Sequence, residues 1–134
     1  MIAPPDPPLL DRLLLDTHVF LWWQEESDRL TPHVERVIAT AERVHVSLAS
    51  AWEIAIKVGS GKLRVRESFA GALDESRFRL LPVTLQHVDL VAGMPRHHRD
   101  PFDRMLAAQA VHEGLTLVTH DRAFAPYALP VLWA

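Results

Sequence analysis

Arg12-Leu13-Leu14-Leu15-Asp16-Thr17-His18-Val19-Phe20-Leu21-Trp22-Trp23 decides how the rest of the chain is read. Three consecutive leucines fit a strand buried on both faces, which lacks the apolar–polar alternation of a half-exposed one. An acid follows, and the apolar run resumes as a helix over Val19 to Gln24. In an open α/β sheet such a junction lies outside the carboxyl ends of the strands, where ligands bind. Asp16 has two readings there. It is a helix cap, since Asp accepts the free N–H groups of a first turn, or it is a ligand, in which case capping passes to Thr17.

Outward from this stretch, strands and helices alternate. Thr31-Pro32 opens a helix with proline at its first position, and Val34, Val37, Ile38 and Ala41 form its apolar stripe. Val44 to Leu48 is a second strand. Ser50-Ala-Trp-Glu53 opens the next helix, with Ala51, Ile54, Ala55 and Val58 facing the core and Gly59-Ser60-Gly61 ending it. Ser68 to about Arg77 is a further helix, and Leu80 to Val83 a strand whose proline assigns it to a sheet edge. Thr84 caps a helix to about Gly93. After the polar loop from Pro95 to Asp100, Pro101 begins a helix to His112, with Met105, Ala108 and Val111 or His112 inward and Gly114 as its left-handed cap. Leu115 to Thr119 and Pro130 to Leu132 are the last strands. The alternation predicts an α/β domain with a mostly parallel sheet of about five short strands and helices on both faces.

At 134 residues, 49% hydrophobic and 23% charged, the chain has the size and balance of one globular domain. The domain is expected over residues 12–134, preceded by a tail (1–11) in which four prolines prevent regular structure. No transmembrane run and no basic leader is visible, so a cytoplasmic protein is expected. The absence of cysteine removes disulfides and thiolate metal sites. A net charge of −3 argues against a protein that coats nucleic acid, but not against an enzyme that acts on it through an acidic pocket.

Four acids fall at one edge. Asp16 follows strand one, Glu53 sits in the first turn after strand two, and Asp121 lies two residues beyond strand four. Asp103 sits in the first turn of a helix that runs antiparallel to strand four, so it reaches the same side. Each has a bland role in isolation: Glu53 as partner of Ser50 in a capping box, Asp103 as an anion on a helix dipole behind Asp100 as cap, Asp121 as a turn residue beside Arg122. Together, four carboxylates in a small pocket repel, and a hard divalent cation relieves the repulsion. Oxygen donors without sulfur favour Mg2+ or Mn2+, whose chemistry suits phosphodiester hydrolysis.

Other chemistries lack their motifs. No G-x-x-x-x-G-K-S/T, G-x-G-x-x-G, H-E-x-x-H or G-x-S-x-G occurs. The acidic phosphatase pattern D-x-D-x-T/V is missing after strand one, and a receiver's late lysine is missing too. His97-His98 is read as solvated loop rather than a ligand pair. Trp22, Trp23 and Trp52 lie in apolar helical patterns and are read as core rather than as base-stacking platforms. Arg96, Arg99, Arg104 and Arg122 fall near the acids, as phosphate contacts or as salt-bridge partners of those acids.

Leu13-Leu-Leu-Asp16-Thr-His18, Ser50-Ala-Trp-Glu53-Ile-Ala-Ile-Lys57, His98-Arg-Asp-Pro-Phe-Asp103-Arg-Met-Leu106 and Leu117-Val-Thr119-His-Asp121-Arg-Ala-Phe124 together resemble the four signature segments of PIN-domain ribonucleases, and more closely VapC-type toxins of type II toxin–antitoxin modules. The resemblance spans residues 12–134, with the tail as its one departure. It implies a PIN-like three-layer α/β/α fold and a Mg2+- or Mn2+-dependent endoribonuclease. Asp16, Glu53, Asp103 and Asp121 are then the metal-binding carboxylates, Asp16 and Asp103 most directly, with Thr17, Asp100 and Thr119 supporting them. It further implies an RNA substrate, a homodimer and a cognate antitoxin. The alternative is a PIN-like module that binds RNA or protein without cutting.

Overall fold

The computed structural model describes residues 9–95 and 100–134. Among the described residues the elements run β1 (Arg12–Leu15), α1 (Thr17–Gln24), α2 (Pro32–Thr40), β2 (Arg43–Ser47), α3 (Leu48–Gly59), α4 (Phe69–Ser76), β3 (Arg79–Leu81), α5 (Leu85–Gly93), α6 (Pro101–Glu113), β4 (Thr116–Thr119) and β5 (Val131–Trp133). The strands form one sheet in the order β3-β2-β1-β4-β5, and every pairing is parallel. A parallel sheet needs both faces covered. Leu13 and Leu15 accordingly point into one core with Val19, Phe20, Val34, Ile38 and Val46, while Leu14 points into the other with Leu106, Ala110, Leu117 and Phe124. All three leucines are fully buried, which is why the run shows no alternation. The α/β/α layering matches the expectation, and β3 lies at the edge, with Pro82 just beyond it.

Local chemistry explains most boundaries. Thr31, Ser68, Thr84 and Asp100 each cap a helix by accepting N–H groups of its first turn. Gly114, at φ 65°, supplies the left-handed residue that ends α6 and sends the chain into β4. The tail reading for residues 1–8 lies outside the described residues. Residues 9–11 run beside the sheet: the Leu9 carbonyl accepts the Thr116 hydroxyl, and the Asp11 carbonyl accepts the Arg43 N–H.

Two helical faces differ from expectation. The α3 cap is Ser47, not Ser50: Ser47 closes β2 and its hydroxyl accepts the Ala49 N–H, so the helix starts a turn earlier. Its buried face is Ala49, Ser50, Glu53 and Ile54, leaving Ala55 and Val58 exposed. On α6, five consecutive residues from Leu106 to Ala110 are buried, while Val111 and His112 are exposed. That helix packs against β4, α3 and α5, so it has no single inward stripe.

Candidate active site

The strand order places a topological switch point between β1 and β4. From β1 the chain moves to β2 and β3 on one side, whereas β4 and β5 lie on the other. A crevice opens at the carboxyl ends of such a strand pair. Asp16 is the first residue past β1, and Thr119 and Asp121 come from the end of β4.

Asp16 is 4% exposed, and both its oxygens are engaged. Oδ1 accepts the Val19 N–H at 2.8 Å and so caps α1; Oδ2 accepts the Thr119 hydroxyl at 2.5 Å. Thr119 Oγ1 also accepts the Asp121 N–H at 3.0 Å, which ties the second acid's backbone to the first acid's side chain. The cap is therefore Asp16 itself, not Thr17. Thr17 opens the helix and its buried hydroxyl donates to Ser50 Oγ at 2.9 Å, joining the first turns of α1 and α3. Burial pushes the Asp16 carboxyl above its ordinary pKa. The Thr119 and Val19 hydrogen bonds and His18 draw it back, and the negative charge of Asp121 pushes it up again.

Glu53 lies one turn beyond Ser50, in the second turn of α3 rather than the first, and is 7% exposed. The shifted cap excludes a Ser50–Glu53 capping box. Oε2 meets Lys57 Nζ at 3.4 Å, whereas Oε1 is buried with no hydrogen-bond partner. A buried, unsatisfied carboxylate oxygen costs several kcal/mol unless something pairs with it. Asp100 Oδ1 accepts the Phe102 and Asp103 N–H groups, which fixes the start of α6 and the base of Asp103. Asp103 is half-buried and Asp121 exposed, with Asp121 Oδ1 accepting the Ala123 N–H to cap a 3-10 turn over Arg122–Phe124. The helices carrying Glu53 and Asp103 touch through Trp52 and Phe102, whose rings lie 5.3 Å apart edge to face.

These residues offer oxygen donors only, two of them on buried acids, and one donor atom lacks a partner; that set suits a hard divalent cation. Among the described residues, the three side chains whose ligating atoms lie within 4.8 Å of one another are His87, His112 and Glu113, and no three of the four acids meet that distance. The histidine group is not read as a metal centre. The Thr84 N–H donates to His87 Nδ1 at 3.0 Å, which leaves the proton on Nε2, and Nε2 donates to Glu113 Oε1 at 2.9 Å. Both ring nitrogens are engaged: Nδ1 completes the N-terminal cap of α5, and Nε2 ties α5 to α6.

The arginines divide. Arg104 Nη2 donates to the Val91 and Met94 carbonyls at the end of α5, so that side chain is bent back into the fold rather than toward a phosphate. Arg122 is exposed with its guanidinium 4.2 Å from the Trp133 ring centroid. Arg96, His97, His98 and Arg99 lie outside the described residues.

The sequence matches the family model described as PIN domain over residues 13–129. The chain belongs to the PIN domain family. It is 27% identical over 121 residues to Ribonuclease VapC22 of Mycobacterium tuberculosis (strain ATCC 25618 / H37Rv), covering 88% of this chain and 93% of that protein. VapBC2 from Rickettsia felis, solved bound to a DNA fragment from their promoter, aligns with TM-score 0.69 and 17% identity, covering 91% of this chain and 98% of the other. A toxin-antitoxin complex from Klebsiella pneumoniae aligns with TM-score 0.62 and 16% identity, over 90% and 95% of the two chains. These structures share the fold of this PIN domain.

Three residues of the edge were not among the expected site residues: Ser50 was expected as a helix cap, Trp52 as core, and Lys57 had no separate role. Ser50 needed knowledge of the α1–α3 contact. Lys57 was legible, because an acid followed four residues later by a lysine pairs on a helix. Trp52, read as core, is 64% exposed. In the described residues, no helix is long and apolar enough to cross a membrane.

Proposed function

We propose that this PIN domain is a Mg2+- or Mn2+-dependent endoribonuclease that serves as the toxin of a toxin–antitoxin module. The observation that carries the metal is Glu53 Oε1, a buried carboxylate oxygen without a hydrogen-bond partner, one helical turn beyond the Ser50 hydroxyl that accepts from Thr17, the residue after Asp16. Asp16, Glu53, Asp103 and Asp121 would hold the cation. Mg2+ commonly keeps several of its waters and needs only one or two direct carboxylates, so acids spaced more widely than one coordination shell suit it. A divalent cation bound there lowers the pKa of a water and offsets the charge that develops on a phosphodiester.

The chain's own residues do the positioning. Thr119 and the Val19 N–H each engage one oxygen of Asp16, which fixes the carboxylate and leaves a further lone pair on each oxygen. Thr17 and Ser50 lock α1 to α3 and set the height of Glu53. Asp100 holds the first turn of α6 and thereby Asp103. Arg122 is proposed to meet the RNA phosphates, as is Arg99, which lies outside the described residues; Arg104 is not, since its guanidinium serves α5. In the hydrolysis, water's oxygen bonds to phosphorus, one phosphorus–oxygen ester bond breaks, and the leaving oxygen takes up a proton. The name of the mycobacterial relative supports RNA as substrate, and the Klebsiella complex supports an antitoxin as partner. A homodimer in the cytoplasm completes the proposal.

The test is cleavage of a mixed-sequence RNA with Mn2+, with EDTA, and by Asp16→Asn. Cutting that needs Mn2+ and falls at least a hundredfold in the variant is expected. Activity in EDTA, or full activity in Asp16→Asn, overturns the metal reading. Tight RNA binding with no cutting under any metal would leave a binding module instead.

A further inference from the structure

Trp52 is the most exposed residue among the described tryptophans, at 64%, and it stands beside Glu53 on α3. Its ring meets Phe102 edge to face, with centroids 5.3 Å apart and planes at 78°. Phe102 in turn precedes Asp103. The two aromatic rings thus come from the two helices that carry acids of the proposed site, and each ring is the sequence neighbour of one of those acids. A T-shaped contact occupies at most one face of the indole while restricting its rotation, and the exposure leaves the rest open to solvent. Leaving that much aromatic surface in water forfeits the burial an indole would gain in a core, so the position is explained better by an occupant than by packing.

We propose that Trp52 is a substrate-contact residue: a stacking platform for one nucleobase of a single-stranded RNA whose phosphodiester lies at the acids. This rests on the nuclease reading and adds how the strand is gripped. Every base has a π-face, so stacking grips a strand with little regard to sequence, and it supplies affinity that an acidic protein of net charge −3 cannot draw from general electrostatic attraction. Leu48 and Ile56, exposed one turn to either side of Trp52, are the reason to weigh a second copy of the chain as the occupant. The link through Phe102 to Asp103 favours RNA.

The test is steady-state cleavage of an unstructured oligoribonucleotide by the full chain with Mn2+, comparing wild type, Trp52→Ala and Trp52→Phe. The same strand is then made with a single abasic ribose at each position in turn. Trp52→Ala is expected to lower kcat/KM by about 5- to 150-fold, mainly through KM, while Trp52→Phe stays within about threefold. One abasic position near the cut should cost the wild type a similar factor and cost Trp52→Ala nothing, a coupling that a merely structural role would not produce. Unchanged kcat/KM in Trp52→Ala, or abasic penalties identical in the two proteins, overturns the proposal. So does a change of oligomeric state on sedimentation with those penalties unaltered, which would give the face to a second copy. A wild type that cuts no RNA with any metal sinks the nuclease reading itself and this inference with it.

Discussion

Thr119 Oγ1 donates to Asp16 Oδ2 at 2.5 Å across the switch point, and the same oxygen accepts the Asp121 N–H at 3.0 Å. One hydroxyl therefore couples the ends of β1 and β4. It offsets part of the upward shift that burial gives this acid, without cancelling it. Thr119→Val keeps the shape and removes both functions. The expected cost is about 1–3 kcal/mol in urea unfolding, the usual price of leaving a buried polar group unpaired. Thr119→Ser should recover most of it. A Thr119→Val protein with wild-type stability would show that the hydrogen bond contributes nothing net.

Asp16 itself is held at a cost. Its pKa in the folded chain lies above the unfolded value, so folding favours the protonated form. The linkage sign follows: relative stability is greatest below the unfolded carboxylate pKa and declines as pH rises toward the folded pKa, above which the full penalty applies. Asp16→Asn removes the charge while its carbonyl can still cap α1. In metal-free buffer at pH 7 the variant should melt above wild type. Near pH 3 the advantage should vanish. A variant that melts below wild type at pH 7 contradicts the desolvation account. The same substitution is expected to abolish cleavage, so stability and activity move in opposite directions.

A cation that binds the folded chain alone should raise its melting temperature with concentration. Adding Mn2+ is expected to stabilise wild type and to leave Asp16→Asn and Glu53→Gln nearly unmoved, a readout independent of RNA. Lys57→Met, which removes the partner of the buried Glu53 Oε2 and leaves neither carboxylate oxygen paired, should lower metal-free stability by about 1–3 kcal/mol. Equal Mn2+ shifts in all four proteins would place the ion elsewhere.

How much of this was legible depends on whether a feature is local. Asp100-Pro101, Gly114 and the triple leucine are local: capping geometry and the two-sided burial of a central parallel strand leave direct marks in sequence. The start of α3 is not. Ser47 and Ser50 are both competent caps three residues apart, and β2 turning straight into the helix at Ser47 selects the first. That choice moves Glu53 from a capping partner to a buried acid. Trp52 was misread for a related reason. Leu48, Trp52 and Ile56 repeat at helical spacing whether the face meets a core or solvent, so periodicity alone cannot assign it. The buried run of α6 failed in the opposite sense, because a helix packed on several sides shows no stripe.

The two arginines next to acids separate structural from substrate roles. Arg104 donates to the Val91 and Met94 carbonyls, so Arg104→Met should loosen the α5–α6 hairpin and cost about 1–3 kcal/mol of stability. Arg122 rests on Trp133 at the surface, where a cation–π contact is worth about 0.5–1 kcal/mol, so Arg122→Ala should be nearly neutral for folding. Their effects on RNA should reverse. If Arg122 meets a phosphate, its loss weakens binding equally across sequences and flattens the slope of log affinity against log salt by about 0.7, the contribution of one contact to a single strand. Arg104→Met should weaken binding no more than its lost stability explains and leave that slope unchanged. A salt slope that moves with Arg104 and not with Arg122 would exchange the two roles.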